Sequence, residues 1–276
     1  KRVLLRRIHL DLTGLPPTPA EMKTFLGDQR KDALDHVIDS LLKSSHYGER
    51  WARHWLDTAR YSDGLGGFGD NGPLPGAWRY RDWVVDCFNR DLPYDQFVKQ
   101  QIAGDLYTED PLAFYGTGFF AIGPNYKSDG GDPEAKAQAE AETLADRIDT
   151  FSRAFLGLTV QCARCHDHKF DPIPQKDYYS IAGVFRNSRT HKRSAASAEM
   201  TKKYNDHQKA IKELEKQIKS LNEEKKKAPG NTADNPELPK LQQELNKLKK
   251  TLPPKPGGEV HVLADSGNKD MHVAIR

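Results

Sequence analysis

Residues 46–60, HYGERWARHWLDTAR, carry a clear helical pattern. Trp51, Trp55 and Thr58 follow one another at steps of four and three residues, which is the spacing of one face of an α-helix. This spacing predicts a helix from about His46 to Arg60.

Helical signals continue on both sides of this segment. Thr18-Pro19-Ala20-Glu21 has the form of a capping box, with Pro at the first helical position. A Gly-rich loop, DGLGGFGDNGPLPG (63–76), follows the Trp-rich helix, and no strong β alternation occurs before Val260. The sequence therefore predicts a mainly α fold, an irregular helical array with long ordered loops. Apolar spacing predicts the other helices, namely one with Leu34, Val37, Ile38, Leu41 and Leu42 on one face, one in WRYRDWVVDCFNRD (78–91), one after Pro93, and one over about 133–156.

Residues 199–252 differ from the rest of the chain in composition. Apolar residues recur there with 3,4 spacing, which is typical of a coiled-coil seam, and a Pro- and Gly-containing stretch (225–236) interrupts them. This pattern predicts an antiparallel helical hairpin that protrudes as a solvated spacer arm, with docking of a partner as the alternative. The seam residues are Tyr204, His207, Ile211, Leu214, Ile218 and Leu221, followed by Leu238, Leu241, Leu245, Leu248 and Leu252.

The chain accordingly divides into three predicted parts. A helical body covers residues 1–198, the hairpin insert covers 199–252, and a linker with a β segment covers 253–276. In this last part, apolar and polar residues alternate around Ser266-Gly267-Asn268, which predicts a short β-hairpin that returns to the body or leads to a next domain. The chain lacks an initiator Met and opens within a pattern, so we expect it to be a piece of a longer protein.

Charge and hydropathy exclude two classes of partner. The formal net charge is +3, but residues 199–255 alone hold 14 Lys, no Arg and 9 acidic residues. The basic excess thus lies on the hairpin, away from the aromatic-rich body, and this argues against nucleic-acid binding. With a hydrophobic fraction of 37% and no apolar run near about 18 residues, the sequence predicts no membrane span.

The motif that carries chemistry is Cys162-Ala163-Arg164-Cys165-His166, of the form C-x-x-C-H. In this spacing the two thiols can form thioethers with the vinyl groups of a haem, and the adjacent His can ligate the iron. A zinc site made of Cys162, Cys165, His166 and His168 is an alternative. Four ligands within seven residues, however, form a tetrahedral zinc site poorly. A further alternative is that the segment binds nothing, with Cys162 and Cys165 as reduced core residues and His166 on the surface.

Four segments together resemble one known family: RRIHLDLTGLPPTPAE (6–21), HYGERWARHWLDTARYSD (46–63), WRYRDWVVDCFNRDLPYDQFVKQQIAGDL (78–106) and CARCHDHKFDPIPQKDYYSIAGVFRNS (162–188). The chain is similar over about 1–190 to the cytochrome c-like domain of unknown function found in large secreted planctomycete and verrucomicrobial proteins. The resemblance implies covalent haem c, a periplasmic or otherwise extracytoplasmic location, and further domains in the same parent protein. It implies no particular activity.

The sixth position of a haem iron has several candidate ligands in this sequence. His54, flanked by Trp51 and Trp55, is the preferred distal histidine, and an open or water-bound iron is the main alternative. His46 and His9 follow as histidine candidates, and the Met candidates are Met22, Met200 and Met271. The expected pocket wall consists of Tyr61, Trp51, Trp55 and Phe170, and Arg164 and Lys169 are candidates for pairing with haem propionates.

Two other features have weaker chemical meaning. Asp63, Asp70 and Asn71 share the Gly-rich loop and could supply oxygen ligands to Ca²⁺, although the acidic spacing of a calcium loop is absent. Cys87 lies among helical apolar residues, which predicts a buried, unreactive thiol.

Two functions of different classes follow. The first is a monohaem c-type domain serving electron transfer or redox and small-ligand sensing, with a redox partner. The second is a non-redox, metal-stabilised module that docks carbohydrate or a partner domain. A peroxidase-like haem enzyme is a third hypothesis, and the sequence assigns it no catalytic residues.

Overall fold

The fold is known from a computed structural model, which describes residues 1–64, 72–107, 110, 112–124, 126, 131–194, 198–227, 237–251 and 259–265. Ten α-helices and two β-strands follow one another along these ranges. In chain order they are α1 Arg2–Thr13, α2 Pro19–Gly27, α3 Ala33–Leu42, α4 Ser45–Thr58, α5 Trp78–Asn89, α6 Tyr94–Ala103, α7 Pro133–Phe151, α8 Gln175–Arg186, β1 Ser188–Ser194, α9 Ala198–Lys227, α10 Glu237–Lys250 and β2 Glu259–Asp265.

The mainly α prediction is confirmed, and the Trp-rich helix forms where its spacing placed it, as α4. Short 3₁₀ turns at Gly104–Leu106, Ala113–Phe120 and Gln161–Arg164 complete the helical content, and a π-helical turn at Ser152–Leu156 extends α7. None of the described helices is both long and apolar enough to cross a membrane.

The capping box at the start of α2 forms as the sequence predicts. The Thr18 Oγ1 atom accepts from the backbone N–H of Glu21 at 3.3 Å, and the Thr18 N–H donates to Glu21 Oε2 at 2.7 Å. Below it, Leu5, Phe25 and Ala33 form a buried cluster between the first three helices. Met22 packs against this cluster, so its side chain serves as core.

An aromatic core joins α4, α5 and α6. The Trp55 ring lies 4.9 Å from Phe97, and Phe97 stacks on Trp83 at 5.5 Å, measured between ring centroids. Trp55 also contacts Phe119 and Phe155, each at 5.8 Å. The 3₁₀ turn and the π-helical turn that carry these two phenylalanines are thereby fixed to α4 by apolar burial.

A glycine sets the distance between α4 and α5. A Cβ atom on Gly48 would lie 2.5 Å from the backbone oxygen of Val85 and 2.6 Å from the Asn89 side chain. The Gly48 N–H instead donates to Asn89 Oδ1 at 2.8 Å. The two helices therefore approach more closely than any larger residue at this position would allow.

The β segment is present, but its partner differs from the sequence prediction. The strand β2 pairs with β1 in a two-stranded antiparallel sheet. Val260 and Val262 of β2 are buried, whereas β1 has the polar sequence SRTHKRS. Because apolar and polar residues do not alternate in β1, its sequence does not predict a strand. The second strand of the predicted hairpin, after Ser266, lies outside the described residues.

The chain divides into two compact units, Lys1–Arg193 with Val260–Arg276, and Ser194–Glu259. In the second unit, α9 and α10 pack on each other. Ile211 is buried there, Lys249 pairs with Glu215 at 2.8 Å, and the His207 Nε2–H donates to the Leu248 carbonyl at 3.0 Å.

Candidate functional site

The C-x-x-C-H motif lies on the 3₁₀ turn Gln161–Arg164 and the residues that follow it. Cys162 and Cys165 are free thiols and both are exposed, whereas Ala163 between them is fully buried. The turn thus packs on the body through Ala163 and presents both sulfur atoms to solvent.

Two side chains of α8 hold the backbone of the motif. Gln175 Nε2 and the Tyr179 hydroxyl both donate to the carbonyl oxygen of Arg164, at 3.2 and 3.1 Å. In return, Asp167 Oδ1 accepts from the N–H of Gln175, the first residue of α8, at 2.8 Å. These contacts fix the motif to the start of α8 on both sides of His166. Residue spacing does not predict these contacts, and the one local signal is Pro174 before a helical segment.

A second brace comes from α7. The Arg164 guanidinium contacts Glu142 Oε1 at 3.4 Å, so this side chain pairs within the protein. Before the motif, the π-helical turn ends at Gly157, whose φ of 67° lies in the left-handed region. Leu156 and Leu158 on either side of that glycine are exposed, and Phe170 after the motif is 83% exposed. Exposed apolar side chains therefore precede the motif and follow it in the sequence.

The hydrogen bond of His166 defines which ring nitrogen is available. Its Nδ1 atom lies 2.7 Å from the carbonyl oxygen of Asp167. Because a carbonyl oxygen only accepts, Nδ1 carries the proton and Nε2 of the neutral ring keeps its lone pair. A histidine whose other N–H donates to a backbone carbonyl is the usual arrangement of a metal-ligating imidazole.

His168 has a different role from that of its neighbour. Its Nδ1 atom accepts from the backbone N–H groups of Phe170 and Asp171, at 3.3 and 2.9 Å. The backbone N–H of His168 donates to the Ile173 carbonyl at 2.9 Å, and only 6% of the His168 side chain is exposed. His168 therefore organises the loop between the motif and α8. Within the described ranges, no group of three or more His, Cys, Asp or Glu side chains is arranged to hold a metal ion.

A profile of the family called PSCyt2, described as a protein of unknown function (DUF1549), matches residues 1–190. The match covers more than half of the chain. The chain belongs to the PSCyt2 family. No curated protein and no solved structure matches it.

Among the distal-ligand candidates of this PSCyt2 chain, the structure places the histidines in three settings. The His54 ring lies on the exposed face of α4, 5.4 Å from the Trp51 ring. His46 is exposed, and its Nδ1 pairs with Glu49 at 2.7 Å. His9 is buried. The described contacts of His54 are with its own helix, so its role as a distal ligand stays a prediction. Nothing is described for the side chain of Met200, and Met271 lies outside the described residues.

The predicted wall residues of the PSCyt2 site are dispersed over several environments. Trp55 belongs to the aromatic core, and Trp51 is partly exposed beside Tyr47. The Tyr61 hydroxyl donates to Asp63 at 2.6 Å, and burial, followed by this bond, raises the pKa of Tyr61. Lys169 lies 5.2 Å from the Phe170 ring.

The predictions of a Ca²⁺ site in the Gly-rich loop and of a buried Cys87 have different outcomes. Asp63 is described, with Tyr61 as its partner, but Asp70 and Asn71 lie outside the described residues. Cys87 is 2% exposed in α5, and burial raises its pKa to about 12. The structure thus agrees with a buried, unreactive thiol at position 87.

Proposed function

We propose that this chain is a c-type haem-binding domain, in which Cys162 and Cys165 form thioethers with the haem vinyl groups and His166 ligates the iron through Nε2. The observation that carries the proposal is the 2.7 Å bond from His166 Nδ1 to the Asp167 carbonyl. It leaves a lone pair on Nε2 of the residue that directly follows Cys165, and the thiols of Cys162 and Cys165 are both exposed.

Hydrogen bonds from α8 would hold the backbone of the motif in place for this attachment. Gln175 and Tyr179 hold the carbonyl of Arg164, and Asp167 holds the start of α8. A bound haem would supply one-electron chemistry at its iron. The residues around the motif would fix the His166 ring and cover the apolar edge of the group with Leu156, Leu158 and Phe170. This supports a role in electron transfer or in redox and small-ligand sensing.

Location and partners follow from the same attachment. Covalent haem is attached outside the cytoplasm in bacteria, so we infer a periplasmic or otherwise extracytoplasmic location. The partners we expect are other domains of the parent protein and a redox partner, with carbohydrate as the partner if the domain is a non-redox module.

The settings of the two histidines favour haem over the four-ligand zinc alternative. The Nδ1 atom of His168 is occupied by two backbone N–H groups, so its Nε2 carries the proton. Without His168, the zinc site would retain only three ligands, Cys162, Cys165 and His166, all within residues 162–166.

The test is maturation in an export-competent host that attaches haem c. We expect a Soret band that persists after acid–acetone extraction, and a mass increase of one haem. The double variant C162A/C165A should lose the covalent group, and the matched control C87A should keep it. Matured protein without covalent haem would overturn the proposal, and stoichiometric zinc without iron would establish the alternative.

A further inference from the structure

A groove of about 500 Å³ lies within the first compact unit, where α6, α8 and β2 each end. All of its lining residues fall within 102–106, 184–188 and 263–265, so it shares none with the C-x-x-C-H segment. Its volume is within the range of ligand sites in proteins.

The groove presents apolar side chains to solvent. Leu106 is 77% exposed, Val184 is 67% exposed and Ile102 is 47% exposed, whereas Leu263 of the same lining is buried. Exposed apolar side chains that share one surface are typical of a place that another molecule covers.

The exposure of these side chains also indicates the size of that molecule. Small-molecule sites bury about 70–90% of the ligand surface, which requires walls that enclose it. Here the side chains of Leu106 and Val184 are themselves mostly in water, so the groove is open. It therefore fits a segment of a larger partner better than a small molecule.

The charged residues of the lining are both acidic. They are Asp105 and Asp265, and among the described residues no Lys, Arg or His lines the groove. Asp265 already interacts within the protein, whereas the Asp105 carboxylate has no hydrogen-bond or ion-pair partner in the described part of the chain. Arg186 and Arg189 are close in sequence, but neither belongs to the lining, and Arg186 lies 4.0 Å from Glu140. The groove therefore favours a cationic partner.

The same lining discriminates between classes of macromolecule. Its carboxylates would repel the phosphates of a nucleic acid and the surface of an anionic membrane. No aromatic ring on which a base could stack is found among its described residues. A polypeptide segment with apolar side chains and a Lys or Arg matches both the apolar surface and the charge, and apolar grooves are a common way to recognise such segments.

We propose that this groove docks a cationic, apolar segment of a partner protein. The apolar side chains of the segment contact Leu106, Val184 and Leu263, and its Lys or Arg pairs with Asp105. The docking is independent of haem, because the groove has no residue in common with the C-x-x-C-H motif.

The experiment is a titration of the folded chain with the capped peptide KLVLK, observed through the methyl signals of Leu106, Val184 and Leu263 in NMR spectra. Two further peptides separate charge from apolar contact: ELVLE reverses the charge, and KSGSK removes the apolar side chains. We expect a saturable shift with KLVLK, weaker binding of ELVLE, and no binding of KSGSK.

Two variants of the groove test its parts. D105N should weaken KLVLK binding by about two- to fivefold, which is the range for one exposed ion pair. L106S should weaken it by about tenfold, because an apolar contact is lost, and the exposure of Leu106 means that the fold should be kept.

D57N and L15S are the matched controls, because Asp57 and Leu15 are exposed and lie outside the groove. Both should bind KLVLK like the unaltered chain. Equal binding of KLVLK and ELVLE, or equal binding by D105N and D57N, would overturn the proposal. Absence of a saturable shift, for instance because residues 266–276 of the chain itself fill the groove, would also overturn it.

Discussion

Asp167 and Gln175 are joined by a hydrogen bond in which the Asp167 carboxylate accepts from the backbone N–H that opens α8, at 2.8 Å. The first N–H groups of a helix have no partner inside the helix, and a carboxylate there also interacts favourably with the helix dipole. The residue that supplies this cap directly follows the proposed iron ligand. The stability of α8 and the position of His166 are thus coupled through one residue, since the Asp167 carboxylate bonds to α8 and the Asp167 carbonyl accepts from His166.

Replacing Asp167 with Ala should therefore destabilise the protein. The variant loses the hydrogen bond to the Gln175 N–H, and one such bond contributes about 0.5–1.5 kcal/mol to the free energy of unfolding. Urea denaturation followed by Trp fluorescence measures this cost. The control is D57A, since Asp57 is exposed on α4 and caps no described helix. Equal midpoints for the two variants would show that the Asp167 bond contributes nothing.

The three cysteines should react with a thiol reagent in two classes. Cys162 and Cys165 are exposed, whereas the pKa of Cys87 is raised by burial to about 12. At about pH 8 such a thiol is a thiolate in roughly one molecule per ten thousand, and the thiolate is the reactive form. In protein without haem we expect two fast thiols, and a third that reacts only on unfolding. C87A should abolish the slow class alone, and a fast third thiol would contradict the fold around α5.

A buried polar network in the aromatic core gives a prediction on stability. Trp55 Nε1 and the Tyr80 hydroxyl both donate to Gln101 Oε1, each at 2.8 Å, and Trp55 Nε1 also lies 3.1 Å from the Tyr80 oxygen. Q101L removes the shared acceptor and leaves the Tyr80 hydroxyl, which is fully buried, without one. Y80F removes that donor itself and leaves Trp55 bonded to Gln101.

We therefore expect Q101L to destabilise more than Y80F. An unsatisfied buried donor costs about 1–3 kcal/mol, whereas a hydrogen bond lost with both partners accounted for costs about 1 kcal/mol. Urea midpoints of the two single variants against the unaltered chain decide the order. The reverse order would mean that the Tyr80 hydroxyl finds another acceptor.

The ion pair of Asp28 with Arg30 should make the stability of the protein depend on pH in the acid range. The side chain and the backbone N–H of Arg30 donate to Asp28 and lower the pKa of this carboxyl from 3.8 to about 2. Because the folded pKa is the lower one, the stability that Asp28 contributes is present above about pH 4. It is lost as the pH falls through that value toward 2. A carboxyl ¹³C titration should give the lowered pKa, and R30A, which keeps the backbone N–H at position 30, should raise it part of the way back toward 3.8. An unchanged titration in R30A would exclude the pair as the cause.

Helix formation in the body could be predicted from local patterns, and strand pairing could not. Thr18 and Glu21 carry their capping signal within four residues, so the start of α2 was visible in the sequence. The strand β1 has no such signal. It forms because the N–H and C=O groups of a distant strand, β2, are available to it, and Arg147 donates to Thr190 at 3.1 Å. Such contacts depend on the folded chain.

The same limit applies to the candidate site. The spacing of Cys162, Cys165 and His166 predicts a site for haem attachment, and this stays a prediction. The atoms that hold the backbone of the motif at Arg164 come from Gln175 and Tyr179, 11 and 15 residues further along the chain. They reach it because the loop organised by His168 turns the chain back, and no residue spacing encodes this return. For His54, the distance to the motif is likewise a property of tertiary packing.

The helical hairpin should be dispensable for the body. We expect that replacing residues 209–250 with a short Gly/Ser linker leaves the unit of Lys1–Arg193 folded. The cost should be small, because closure entropy varies slowly with loop length. The surface ion pairs that the deletion removes, such as Lys249 with Glu215, contribute about 0–1 kcal/mol each.

The chain provides its own reporters for this deletion. All four Trp lie between positions 51 and 83, so Trp fluorescence follows unfolding of the body alone. We expect an unchanged urea midpoint, the same division into two fast thiols and one slow thiol, and the same ratio of covalent haem to protein after maturation. A variant that keeps its fluorescence transition but loses haem would show that the hairpin contributes to the cofactor site. A lowered midpoint would show that it stabilises the body.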